Sequence, residues 1–135
     1  MGFLDSIFNS KSTTNNGGVG SENTLVWRQL EDVSQLDAVE ELSKEKLVVI
    51  FKHSKRCGIS HMVWDRFQNT IDFTNEHIEM LYLDLLAHRD ISNEITQRFK
   101  VLHQSPQILV IKSGKVIHHA SHSAIHVSDI HELLP

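Results

Sequence analysis

Apolar and polar positions alternate along this chain in two distinct periods. Leu47-Val48-Val49-Ile50-Phe51 is five apolar residues in succession, mostly β-branched or aromatic, and predicts a central strand buried on both faces over 46–51. Shorter runs predict further strands over 25–30, 78–83, 107–111 and 115–118. Ser113-Gly114 reads as a two-residue turn joining the last two. Between them, apolar residues recur at helical spacing: Val33, Leu36, Val39 and Leu42; then Ile59, Met62, Val63, Phe67 and Ile71; then Ile91, Ile95 and Phe99. Val127, Ile130, Leu133 and Leu134 predict a final helix capped near Ser128. The order is β-α-β-α-β-α-β-β-α. Strands separated by helices pair in parallel and the closing hairpin is antiparallel, which predicts an α/β fold with a mixed central sheet and helices on both faces.

Before this pattern the chain reads differently. Residues 9–23 are mostly Ser, Thr, Asn and Gly and cannot bury enough apolar surface to offset their ordering entropy. Residues 1–24 are therefore expected to be a flexible arm, and 25–135 a single domain. Met1-Gly2-Phe3-Leu4-Asp5-Ser6-Ile7-Phe8 is too short, and lacks the basic start, for a secretory signal. It matches a myristoylation pattern only formally, and a helical turn docking weakly on a surface is the plainer expectation.

Composition narrows the function. Net charge is −4, without the basic footprint of a nucleic-acid binder. No apolar run has the length of a membrane span. The single cysteine, Cys57, excludes an internal disulfide framework and points to a reducing, cytoplasmic setting.

Cys57 lies where the central strand gives way to the second helix, after the basic residues Lys52, Lys55 and Arg56. The unpaired N–H groups at a helix start and nearby cations favour a thiolate, the form that attacks disulfides. Pro106 falls immediately before the fourth strand. A cysteine on the helix after the second strand, facing a proline loop before the fourth, resembles the thioredoxin fold. In that family the backbone before a cis proline pairs with the incoming substrate, a role that falls here on Ser105 and Pro106. A trans proline merely starting a strand is the alternative.

Cys57-Gly58-Ile59-Ser60 is a C-x-x-S motif, with serine where a dithiol protein carries its resolving cysteine. Ser60, one helical turn on, is expected to hydrogen-bond the Cys57 sulfur without being able to resolve a mixed disulfide. The stretch from Phe51-Lys52-His53-Ser54 to Cys57-Gly58-Ile59-Ser60, together with Ser105-Pro106-Gln107 and Ser121-His122 through Ile125, resembles monothiol bacilliredoxins, over about residues 25 to 134. The resemblance implies removal of bacillithiol from S-thiolated cytoplasmic proteins, with Cys57 as nucleophile and bacillithiol as a cosubstrate instead of a resident cofactor. By their charge Lys52, Lys55 and Arg56 are candidates for lowering the Cys57 pKa and receiving the carboxylates of the low-molecular-weight thiol, Arg56 ahead of Lys55, with plainly solvated side chains as the alternative. Lys52, directly after the strand, is expected nearest the sulfur.

Gly58 departs from the family's usual proline and leaves one more backbone N–H beside the sulfur. It also brings the motif close to the C-G-F-S of monothiol glutaredoxins, which bind glutathione or a [2Fe–2S] cluster. His118-His119-Ala120-Ser121-His122 lacks the Gly-Gly pair those proteins use. A redox-sensing adaptor, with Cys57 merely capped by a thiol, is the non-enzymatic alternative. His53 and His61, four residues before and after Cys57, raise a cysteine hydrolase, but no orienting acid or oxyanion motif accompanies them. His118, His119, His122, His126 and His131 lack Cys, Asp or Glu partners at metal-ligand spacing, so no metal site is assigned and surface histidines are expected. Trp64 is expected to pack in or on the core.

Overall fold

A computed structural model of the chain describes residues 25–135. The arm expected over 1–24 lies outside those residues. The strands are β1 (Trp27–Gln29), β2 (Leu47–His53), β3 (Ile78–Asp84), β4 (Gln107–Lys112) and β5 (Lys115–Ser121). The helices are α1 (Gln35–Leu42), α2 (Gly58–Thr70), α3 (Arg89–Phe99) and α4 (Val127–His131), with a 3₁₀ turn over His122–Ala124.

The five strands form one sheet in the order β1-β3-β2-β4-β5. β1 and β2 both run parallel to β3, and the β4–β5 hairpin is antiparallel, as expected. β4 departs from the expectation that strands separated by helices pair in parallel: it follows α3 yet runs antiparallel to β2, because residues 100–106 return the chain to the sheet edge at which β3 ends. β2 lies at the centre and is buried along its whole length. Its alternation assigns the two cores. Val48 and Ile50 face α1 and α3, packing with Leu36, Val39, Ile91 and Ile95. Leu47, Val49 and Phe51 face α2 and α4, packing with Val63, Phe67, Val127 and Ile130.

Three departures from the periodic pattern have identifiable reasons. β2 runs on through the polar pair Lys52-His53 because their backbones still pair, with Leu83 and Asp84 on one side and Gln107 on the other. The buried stripe of α2 is Ser60, Val63 and Phe67, and Ile59 and Met62 sit about 100° around the helix from it, exposed by 58% and 70%. The last helix stops at His131, short of Leu133 and Leu134, which pack only at the margin of the core. The Ser113-Gly114 turn is formed as its residues suggest. Gly114 takes φ +79°, a conformation open to glycine, and its N–H donates to Ser43 Oγ at 2.8 Å.

Candidate active site

β2 and β3 end, and β4 begins, at the same edge of the sheet, because β4 runs against its neighbour. This register sets the Ser54–Cys57 loop beside the loop that enters β4, since Lys52 pairs directly with Gln107. Cys57 is the N-cap of α2, with extended backbone (φ −102°, ψ 120°), and it is half-buried. Its N–H donates to the Ser54 carbonyl at 3.2 Å, closing a tight turn. Its carbonyl accepts from His61 N–H at 3.1 Å, opening the helix. Gly58 is the first helical residue, and the space around its Cα is open. The Ser105–Pro106 peptide bond is cis, and the Pro106 carbonyl accepts from His122 N–H at 3.1 Å. Ser105 Oγ is buried and, among the described residues, has no hydrogen-bond partner.

Ser60 is fully buried, and its hydroxyl is engaged elsewhere than at the sulfur. Ser60 Oγ lies 2.7 Å from His53 Nδ1 and accepts from Ser54 N–H at 3.1 Å. It thus ties the first turn of α2 to the end of β2 and to the loop between them. His53 is stacked on Trp64, with ring centroids 5.6 Å apart, and meets the edges of Tyr82 and His61. Burial first, and the neighbouring His61 second, hold its imidazole below the usual histidine range. Burial and Asp84 push the Tyr82 phenol up to about 12. The Nε2 of His61 bonds the Lys55 carbonyl at 2.7 Å, which commits that ring to the loop and not to base chemistry.

The basic residues separate. Lys55 reaches Asp84 at 3.7 Å, a partly exposed pair, and Arg56 is exposed beside Cys57. Lys52, expected nearest the sulfur, turns the other way. Successive strand residues point to opposite faces, so Lys52 follows Val48 and Ile50 into the layer under α3 while His53 faces α2. Its side chain is fully buried and Nζ lies 2.9 Å from His103 Nδ1, which Ser92 Oγ also approaches at 3.2 Å. Burial pushes the Lys52 amine down to about 8. His103 and Ser92 escaped the sequence reading. A lysine in phase with the apolar side of a strand was the signal that some partner must meet it, but nothing in the chain order names which one.

On the C-terminal side, His118 and His131 approach Asp129 and Asp72 at 3.8 and 3.2 Å. Among the described residues no group of three or more His, Cys, Asp or Glu side chains converges as a metal site would require. No helix among them is long and apolar enough to cross a membrane.

Solved structures place this arrangement in a class. A chain provisionally described as an oxidoreductase with a thioredoxin fold is 28% identical, with TM-score 0.67 over 78% of this chain and 91% of that one. Thioredoxin Mala s 13 of Malassezia sympodialis (16% identity, TM-score 0.63, 88% and 95% covered) and thioredoxin NaTrxh of Nicotiana alata (16%, 0.59, 86% and 95%) share the fold. The class is that of thioredoxin-fold proteins, and the single thiol at the α2 cap makes this one a monothiol member. Within it, the model of the family "Monothiol bacilliredoxin BrxC" matches residues 28–130, and the chain belongs to that family. Fold and family together assign it a thiol-redox function.

Proposed function

We propose that this protein is a cytoplasmic monothiol oxidoreductase that removes bacillithiol from protein mixed disulfides. The observation carrying this reading is the position of Cys57: a half-buried N-cap thiol in a monothiol bacilliredoxin, with no second cysteine in the chain. In the first step the Cys57 thiolate attacks the bacillithiol sulfur of the mixed disulfide. The S–S bond breaks, the target's thiolate leaves, and Cys57 becomes bacillithiolated. Ser60 has no sulfur with which to displace that adduct. A second bacillithiol thiolate therefore attacks it, releasing oxidised bacillithiol and regenerating the Cys57 thiolate. The reducing equivalent comes from the incoming bacillithiol thiol, whose sulfur ends in the disulfide with the bacillithiol taken from the target while its proton goes to the target thiolate; a flavin reductase elsewhere recycles that disulfide.

The surroundings suit a protein-bound substrate. Ile59 and Met62 present apolar surface on the first turns of α2, the Ser105–Pro106 backbone lies at the same sheet edge, and Arg56 supplies an exposed cation for a thiol bearing carboxylates. The test is intact-mass kinetics of the purified protein with a bacillithiolated test protein, a glutathionylated one being run in parallel. A bacillithiol adduct on Cys57, with release of the test protein and many turnovers once free bacillithiol is added, is the expected result. Preferential reaction with the glutathionylated protein refutes the bacillithiol assignment in favour of a glutaredoxin-like activity. A single turnover leaves a sensor, and no adduct from either substrate refutes the exchange chemistry altogether.

A further inference from the structure

The buried Lys52 has no part in the exchange chemistry, and its setting is unfavourable for a merely structural residue. It is wholly enclosed, with Leu83 and Gln107 paired to its backbone. Of the polar groups around it, α3 contributes Ser92, on the shared His103 nitrogen, and Arg89, whose charge also acts on His103. Among the described residues no carboxylate pairs with its ammonium, whose recorded partner is His103 Nδ1 at 2.9 Å. An unpaired buried cation is costly, and an apolar side chain of the same length would fill this space more cheaply.

What Lys52 touches points to its use. An ammonium can only donate, so His103 Nδ1 accepts and the ring is neutral with its proton on Nε2. His103 stands three residues before Pro106, in the loop that faces the Cys57 edge. The same loop is gripped from its other end by the buried Gln107, whose Nε2 donates to the Leu102 carbonyl at 3.0 Å and whose Oε1 accepts from Gln104 N–H at 3.3 Å. Two buried side chains, adjacent across the β2–β4 ladder, thus brace one short loop from beneath.

We infer that Lys52 is a positioning residue, which through His103 holds the loop from His103 to Pro106 in the shape that receives the mixed disulfide beside Cys57. This deepens the proposed exchange activity and rests on it. Lys52 acts across the sheet from the sulfur and so changes how the substrate is aligned without changing the attacking thiol.

The experiment compares the full chain with Lys52→Met, a volume-conserving change, and with His103→Asn, whose Oδ1 accepts where Nδ1 did. Three quantities are read: the rate of exchange with the bacillithiolated test protein, the rate of Cys57 alkylation by iodoacetamide, and amide hydrogen exchange at Gln104 and Ser105. In Lys52→Met, exchange with the protein substrate falls about tenfold or more, the size expected of lost alignment, and alkylation stays within about twofold. Its Gln104 and Ser105 amides exchange about tenfold faster, and His103→Asn retains most of the wild-type behaviour. Wild-type exchange rates and amide protection in Lys52→Met overturn the inference. So does a parallel fall in alkylation, which would mean damage at Cys57 itself. A wild-type protein that does not exchange at all refutes the proposed activity instead, while amide protection still decides whether Lys52 braces the loop.

Discussion

Replacing Lys52 by Met is expected to make the folded protein more stable at neutral pH, by an amount that shrinks as the solution is made alkaline. In the unfolded chain the amine titrates at the ordinary 10.5, and in the fold burial brings it to about 8. Between these values the unfolded state binds more protons, so the stability of the wild type rises with pH across this window. At pH 7 the amine is charged in both states and the whole penalty is present, about 3 kcal/mol at about 1.4 kcal/mol per pH unit. At pH 9.5 the folded amine is neutral and the penalty has fallen to about 1 kcal/mol. The hydrogen bond to His103 offsets about 1 kcal/mol of it at either pH. Lys52→Met should therefore be more stable by about 2 kcal/mol at pH 7 and nearly equal to wild type at pH 9.5. Urea unfolding at the two pH values, followed by the fluorescence of the packed Trp27–Trp64 pair, measures both differences. Of the other titrating groups His103 is the one on which the charge of Lys52 acts, and burial by itself already holds it below the ordinary histidine range, beneath both pH values; the rest are common to the two proteins and cancel. A Lys52→Met protein less stable than wild type at pH 7, or a difference that does not change with pH, would refute the reasoning. A variant that is more stable but slower to exchange identifies a side chain kept for activity at a cost in stability.

Other substitutions test the site more directly. Cys57→Ser should abolish exchange and adduct formation in the mass assay, because no other sulfur nucleophile stands at the site. Ser60→Ala should retain substantial exchange while lowering stability by about 1–3 kcal/mol in urea titrations, since His53 Nδ1 and the Ser54 N–H lose their shared partner. A Ser60→Ala protein that is inactive while Cys57→Ser turns over would reverse the assigned roles. Gly58→Ala should raise stability by about 0.5–1 kcal/mol, because a Cβ at this first helical residue meets nothing within 4 Å and the unfolded chain loses freedom. An unchanged or lower urea midpoint would show that the backbone there needs glycine.

Much of this protein can be read from local pattern. The apolar run from Leu47 to Phe51 could be little else than a central strand, and helical spacing located Val63, Phe67, Ile91, Ile95 and Phe99 in the core where the structure buries them. The mixed character of the sheet was legible too, since helical crossovers favour parallel pairing and a two-residue turn enforces an antiparallel one, but the order β1-β3-β2-β4-β5 and the antiparallel seating of β4 on β2 were not. Cys57 was recognisable as the candidate nucleophile because its surroundings are contiguous in the chain: a strand end, a basic loop and a helix start.

The sequence by itself therefore determined the architecture, the chain position of the thiol and the lack of a resolving cysteine, all of which depend on neighbours within a turn or a strand. The tertiary structure alone decided where the polar side chains point and which groups they meet. Lys52 and His53 are consecutive, yet the pleat sends one toward His103, 51 residues away, and the other toward Ser60 under α2. Ser60, spaced to reach the sulfur, is instead committed to the end of β2, and Ile59 and Met62, spaced like core residues, lie outside the buried stripe. Hydrogen bonds depend on distances of tenths of an ångström between groups brought together only by the register of β2 against β4 and the seating of α2 on the sheet. Hydrophobic periodicity carries the face a residue occupies in its own element, and it carries nothing about which partner the neighbouring element presents there.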